Sequence, residues 1–471
     1  MGENVLSKEF HQYCEKVCEE HQIPGFAMGL MKDGAFAAEK YVGERDKEEQ
    51  LVPTRETVFG IGSVTKSFTC MAIMQLQEAG KLTVHDSVID YLPSFQTPSD
   101  EATKKITIHH LMTHTAGIPP LSTLFAAMKR SMENDPKVDS EEETAMTEEL
   151  EAIDTYDELL HYMAEEEYAL FGAPGEVFSY SNDSYALLGA IIEQVSKQSY
   201  ETYVKSHILK PIGMTNTVFH LEELASEDDV AVLYDAKMEE DVKIVYPSNN
   251  QWDAPAMRSA GFLKSTITDM LKYADVFLHE GKSGSTQILT KESIAQMIAP
   301  HTTCGPGIYY GYGLMIRPDY YGYKLIEHGG SLKGVAAQLN MMPELGLTGI
   351  AFANLAGVPT SKILHSAFAD WMGKPVDLPT FDRDAVATTP EQLDMYTGIF
   401  KSGEGADLTF SVEDGKLMVT TPDITGKAAK CIGKDLFLLN HQEDNIAIRF
   451  VRNEANEVVR VAFGFRQIPK A

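Results

Sequence analysis

Strand-like sequence occurs at two places far apart, and helical periodicity fills the long stretch between them. Near the start, "FAMGLM" and "AFAAEKYVG" flank Lys32-Asp33-Gly34, which reads as the tight turn of a hairpin. Much later, "YKLIEHGGSLKGVAAQLNMMPELGLTGIAFANLAG" turns back to strands, with Pro343 to Gly346 as a second hairpin turn. A lone hairpin is barely stable in water, so each needs further strands beside it. The simplest solution is one antiparallel sheet shared by the two ends, flanked by helices and with a helical subdomain inserted between them. The expected class is therefore α+β.

Local signals fill in this frame. Leu6, Phe10, Tyr13 and Val17 stand at helical spacing ahead of the first hairpin, and "IPG" ends that helix. "SFTCMAIMQLQEAGKL" should form a long helix terminated near Gly80. "ITIHHLMTHTAGIPP" should give a short helix capped at Thr107 and stopped by Gly117 and the prolines. Another is expected to start near Thr266, and "SKILHSAFADWM" closes the region as a helix. "GKPVDLPTFDRDAVATTP" reads as a linker. From Gln392 to Ala471 the pattern alternates like strands, with turns at Glu413-Asp414-Gly415 and Asn453-Glu454-Ala455-Asn456. The expected organisation is a large α+β domain over residues 1–373, a linker over 374–391 and a small all-β barrel or sandwich over 392–471.

Composition removes several function classes. A net charge of -29 repels polyphosphate, so nucleic acid is not an expected partner. Between Ser131 and Phe171, fifteen Asp or Glu stand against one Lys, about half of that net charge. This stretch is expected to be a solvated helical or partly disordered insertion, with a flap favouring cationic substrates as the functional alternative. No window approaches the roughly eighteen apolar residues that a membrane span needs. The first residues have neither the basic nor the apolar region of a signal peptide, and a cytoplasmic location is expected. Five scattered cysteines do not suggest a disulfide framework; Cys14 and Cys18, four apart, are expected to be packing residues.

Three short motifs carry chemistry. In "FGIGSVTKSF", Ser63 and Lys66 lie one helical turn apart, so the amine can approach the hydroxyl. A serine needs such a neighbour to take its proton, and burial favours the neutral amine that can do so. Ser63 also suits a helix cap, and the two roles are compatible because free N–H groups at a helix start face a reacting carbonyl. "YSN", Tyr180 to Asn182, offers a phenol that can shuttle protons and an amide that can hold a carbonyl or the lysine. "HGGS", His328 to Ser331, lies on a strand whose glycines permit close approach of another backbone. His109, His110 and His114 also cluster, the last two being four apart on one expected helix face. No H-E-x-x-H and no evident third ligand accompany them, so they read as structural. No G-x-S-x-G elbow, Walker loop or G-x-G-x-x-G occurs, and no metal or cofactor is expected.

In order and context the three motifs resemble the set S-x-x-K, S-D-N and K-T-G of serine β-lactamases and penicillin-binding proteins. The resemblance spans roughly residues 5–373. It is to the class C β-lactamase-like, D-alanyl-D-alanine carboxypeptidase, D-aminopeptidase and esterase branch, where Y-x-N and H-x-G often replace the last two motifs. "LMTHTAGIP", "PIGMTNTVF" and "PELG" also look like signatures of that branch. The resemblance implies a β-lactamase/transpeptidase-like fold, with Ser63 acylated, Lys66 activating it, and Tyr180 as general base and as acid for the leaving group. Asn182 would orient substrate, His328 would stand in for the third motif's lysine beside Gly330 and Ser331, and the Ser63 and Ser331 N–H groups would hold the oxyanion. A histidine is a weaker, pH-dependent cation, so a clamp on a substrate carboxylate is not expected. The C-terminal strands resemble a lipocalin-like domain, with oligomerisation or covering of the active site as its expected role. The implied function is hydrolysis of small peptides or amides, D-residues included, through an acyl-enzyme. The alternatives are a carboxylesterase of the same fold and a non-catalytic penicillin-binding or scaffold protein.

Overall fold

The computed structural model describes residues 6–135, 150–225, 229–240, 242–404, 407–422 and 424–471. Eight strands make the main sheet: β1 (Gly25–Lys32), β2 (Ala35–Gly43), β3 (Thr302–Gly305), β4 (Ile308–Tyr310), β5 (Met315–Tyr320), β6 (Tyr323–Leu332), β7 (Val335–Met342) and β8 (Leu347–Ala353). Their spatial order is β2-β1-β8-β7-β6-β5-β4-β3, antiparallel throughout. The β1–β8 pairing, with Ala27 opposite Phe352 and Gly29 opposite Ile350, unites the two distant hairpins as the sequence pattern requires.

Side chains alternate across this sheet and feed two cores. Phe26, Met28, Leu30 and Ala351 pack with α1 (Lys8–Glu20) and with α5 (Thr360–Trp371) on one face. Cys14 and Cys18 are buried among them. Ala27, Ile350 and Phe352 join the larger core on the other face, which includes α2 (Thr65–Glu78) and α4 (Ile267–Leu278). A Cβ on Gly29 would overlap the Ile267 side chain, so α4 sits against bare backbone there. Every residue of α2 from Thr65 to Met74 is buried, as befits a helix surrounded by protein. Its Phe68 ring stacks on Tyr273 of α4 at 3.8 Å between centroids. A further helix, α3 (Asn182–Ser196), packs on α2 from the helical insertion.

One local expectation changes. Thr107 does cap a helix, but that helix runs only from Ile108 to Met112, and His114 takes a left-handed φ of 56° beyond it. His110 and His114 therefore do not share a helix face, and among the described residues no group of three His, Cys, Asp or Glu could hold a metal. The acidic stretch is entered by a helix at Thr123–Glu133 and contains another at Tyr156–Glu165. Residues 136–149 of the 131–171 stretch, for which a flap was the functional alternative, lie outside the described residues.

The C-terminal strands form a nearly closed antiparallel barrel in simple sequential order: β9 (Gly398–Phe400), β10 (Leu408–Glu413), β11 (Lys416–Thr421), β12 (Ile424–Gly433), β13 (Leu436–His441), β14 (Asp444–Arg452), β15 (Val458–Phe463) and β16 (Arg466–Pro469). The Lys401 N–H to Pro469 carbonyl bond (3.0 Å) and the Ala471 N–H to Ile399 carbonyl bond (2.8 Å) tie first strand to last. Phe400, Phe410, Phe437, Phe450 and Tyr396 fill the interior edge to face. Among the described residues no helix is long and apolar enough to cross a membrane.

Candidate active site

Ser63 lies in a single 3-10 turn, Gly62–Val64, that runs directly into α2. Its side chain does not cap the helix. The Thr65 hydroxyl secures the turn instead, donating to the Gly62 carbonyl at 2.7 Å. Strand β6 passes alongside so closely that a Cβ on Gly62 would stand 2.6 Å from the Ser331 nitrogen. Likewise a Cβ on Gly330 would collide with the Ile61 carbonyl and stand 3.2 Å from the Ser63 nitrogen. These bare positions bring the Ser63 and Ser331 backbones side by side, where two N–H groups can converge on one oxygen.

One turn into α2, Lys66 is fully buried. Its Nζ lies 3.1 Å from Ser63 Oγ, 2.8 Å from Asn182 Oδ1 and 2.7 Å from the Ala260 carbonyl oxygen. None of the three is a carboxylate. Burial, and then the charge of Arg466, hold the amine well below the ordinary lysine range, outweighing the upward pull of Glu404 and Cys70. A neutral amine has two N–H groups and one lone pair; with Asn182 and Ala260 accepting the two, the lone pair is left for the Ser63 hydroxyl.

Asn182 opens α3, whose N-cap is Ser181: its hydroxyl accepts the Ser184 N–H at 3.0 Å. Tyr180 stands just before it, with its ring 4.8 Å from Lys66 Nζ. Its buried hydroxyl has no hydrogen-bond partner within bonding geometry among the described residues. Burial raises its pKa, and the nearby Ser63 and Arg466 reverse that only in part. The phenol is thus protonated at rest. His328 is buried as well; its Nδ1–H donates to the Gly329 carbonyl at 2.6 Å, and its Nε2 accepts from the Tyr310 hydroxyl at 3.1 Å. Burial and then the Lys66 charge lower it to about 4, so it is neutral near pH 7 with both nitrogens engaged. Beside it, buried Glu327 pairs with Arg317 and His365; these partners outweigh burial and hold its carboxyl well below the usual range.

The structure thus brings Ser63, Tyr180, Asn182, His328, Gly330 and Ser331 together on the lining of a cleft of about 930 Å³, with Lys66 behind Ser63 and Asn182 and bonded to both. The barrel supplies part of the cleft wall: Asn445, Ala447, Arg449 and Val451 of β14 face the cleft, while Ile448 and Phe450 between them fill the barrel interior. Four residues that the sequence reading did not assign to the site belong to it, His114 having been read as structural. His114 packs on the Tyr180 ring at 4.3 Å and takes the Ser181 N–H at 3.1 Å. Tyr310 holds His328. From the barrel, Glu404 accepts from Asn182 Nδ2 at 3.0 Å, and the Arg466 guanidinium lies over the Tyr180 ring at 5.0 Å. The quoted stretch "LMTHTAGIP" contains His114, a signal that was available; nothing local marks Glu404 or Arg466.

The site thus joins a half-buried serine and a fully buried lysine at a helix start, a tyrosine and asparagine where a loop enters α3, and a glycine-bearing strand opposite, all on an α+β scaffold. The chain belongs to the Beta-lactamase family, whose sequence model matches residues 10–368. It is 26% identical over 362 residues to Protein flp of Staphylococcus aureus (strain MW2), covering 77% of this chain and 66% of that protein, so it spans just under two thirds of that relative's length. The octameric penicillin-binding protein homologue from Pyrococcus abyssi matches with a TM-score of 0.69 and 27% identity, over 98% of this chain and 99% of the other, barrel included. A D-stereospecific amidohydrolase from Streptomyces sp. shares the fold over 76% of this chain and 98% of its own, with a TM-score of 0.61 and 22% identity.

Proposed function

We propose that the chain is a serine hydrolase that works through an acyl-enzyme on Ser63. One observation carries this reading: a buried amine, bonded only to neutral oxygens, lies 3.1 Å from the Ser63 hydroxyl. Lys66 takes the Ser63 proton as Oγ bonds to the substrate carbonyl carbon. The oxyanion is received by the Ser63 and Ser331 N–H groups. The proton passes to the departing amine through Tyr180, which is protonated at rest and so suited to donate. Water then attacks the ester by the reverse proton path and the acid leaves, with Ser63 restored.

Small peptides or amides are the proposed substrates, D-residues included, a reading supported by the likeness to the D-stereospecific amidohydrolase. A second reading, ester hydrolysis, is favoured by His328: a neutral ring with both nitrogens occupied offers no cation to a substrate carboxylate. Both predict slow acylation by penicillins. We also propose a homo-oligomer, from the likeness to the octameric Pyrococcus abyssi protein; light scattering that gives a 52.1 kDa particle at all concentrations would overturn it.

The test of the main reading is intact mass after incubation with a fluorophosphonate, for the wild type and Ser63→Ala. A single adduct on the wild type and none on the variant is expected. Absence of a Ser63-dependent adduct overturns the hydrolase reading. Turnover of D-amino-acid amides against short p-nitrophenyl esters then ranks the two substrate classes.

A further inference from the structure

The side-chain amide of Asn182 can be seated either way round, and the chemistry of Lys66 depends on which. With Oδ1 toward the lysine, as observed, a neutral amine spends one N–H on Asn182 and the other on Ala260, leaving its lone pair for Ser63. With the amide reversed, its NH2 group would take that lone pair. A lysine N–H would then turn to Ser63, and the hydroxyl proton would have no base.

The far end of the amide decides between these. Asn182 Nδ2 donates to Glu404 Oε1 at 3.0 Å, and a carboxylate only accepts, so the reversed amide would set oxygen against oxygen. Glu404 is itself held in place. Its side chain is only 5% exposed, and Arg466 Nε donates to its Oε2 at 2.5 Å. Arg466 opens β16, lies over the Tyr180 ring, and follows Phe465, whose carbonyl takes the Tyr180 N–H at 2.9 Å. Two separate barrel segments therefore converge on Tyr180 and Asn182. A buried ion pair is poor evidence for stability, but it is well suited to setting an orientation.

We propose that Glu404, anchored by Arg466, is a positioning residue of the active site: it fixes the Asn182 amide and thereby aims the Lys66 lone pair at Ser63. The inference rests on the reading of Ser63 and Lys66 above. The other groups facing Lys66 are Cys70 on its own helix, the rings of Tyr180 and Tyr185, and the buried histidines His114 and His328. Among these surroundings Glu404 and Arg466 supply the opposed full charges. Glu404 pulls the lysine pKa up and Arg466 pushes it down.

The experiment is the rate of Ser63 labelling by a fluorophosphonate as a function of pH, on the full chain and its variants. Glu404→Ala should slow labelling at least about tenfold, a fraction of the 10²–10⁴ that a positioned base contributes. Glu404→Gln keeps an acceptor for Asn182 Nδ2 and should lose markedly less. The charge effects have opposite signs. Labelling rises with pH as Lys66 loses its proton, so its midpoint should move down in Glu404→Gln and up in Arg466→Gln, each by about one pH unit. A residue that only supported the fold would give neither the rescue nor the opposed shifts. Glu404→Ala labelling at the wild-type rate, or Ala and Gln failing alike with fixed midpoints, overturns the proposal. Should Glu404→Ala not fold, the Glu404→Gln midpoint decides alone, an unchanged value counting against. Wild-type protein that takes no label on Ser63 overturns the hydrolase reading as well; normal wild-type labelling with unresponsive variants overturns only this one.

Discussion

A lysine ammonium at position 66 would find three acceptors, Ser63 Oγ, Asn182 Oδ1 and the Ala260 carbonyl, whereas the neutral amine needs only the last two. Burial favours the neutral form. Lys66→Ala should therefore fold but acylate about 10²–10⁴ times more slowly. Lys66→Arg should give no rescue, because a guanidinium stays charged and has no lone pair to offer; pre-steady-state bursts with a p-nitrophenyl ester check both. Tyr180→Phe keeps the ring beside His114 and removes only the hydroxyl. An amine must be protonated to leave and a nitrophenolate need not be, so this variant should lose far more amide turnover than nitrophenyl ester turnover. Equal losses would take leaving-group protonation away from Tyr180.

Between elements, the site depends on how near β6 comes to the turn carrying Ser63. Gly330→Ala pushes a methyl into the Ile61 carbonyl, and should cost about 1–3 kcal/mol as an overpacked contact does. Its unfolding midpoint and its labelling rate should fall together. Ser181→Ala removes the cap of α3 and should cost about 1 kcal/mol in urea unfolding. Much at this scale could be read from the chain. The Asp33-Gly34 turn, the caps at Thr107 and Thr266 and the glycine at 346 are local devices whose chemistry is written in one or two residues. Ser63, Lys66, Tyr180 and Asn182 were legible because their spacing and order form a pattern. His114 was misplaced because a left-handed residue ended its helix where no glycine announced it. Glu404 and Arg466 were invisible for a different reason. In strand-like sequence a charged residue reads as solvent-facing, and only the docking of the barrel turns these two inward.

Across the whole molecule, several buried or half-buried histidines are kept neutral. His109, lowered to about 4 by burial and then by His301, His110 and His85, and His328, also near 4, each favour the folded state most when uncharged. Their folded values lie below the ordinary 6.5, so the stability they contribute is full above about pH 6.5 and is lost as the pH falls toward 4. Asp183, pushed up to about 7 by burial, works in the opposite sense, losing stability as the pH rises from its ordinary 3.8 toward 7. Urea midpoints between pH 6.5 and 4 should therefore decline faster in the wild type than in His109→Gln; parallel slopes would remove His109 from the balance.

The chain emerges from synthesis with its N-terminal side first. Ser63 and Lys66 are thus made long before Glu404 and Arg466, the pair that closes on Asn182 and Tyr180 from the barrel. In that interval the nucleophile exists without the group that directs its base. On the proposed reading of Glu404, Ser63 gains a directed base only once the barrel has been made and has packed against Asn182 and Tyr180.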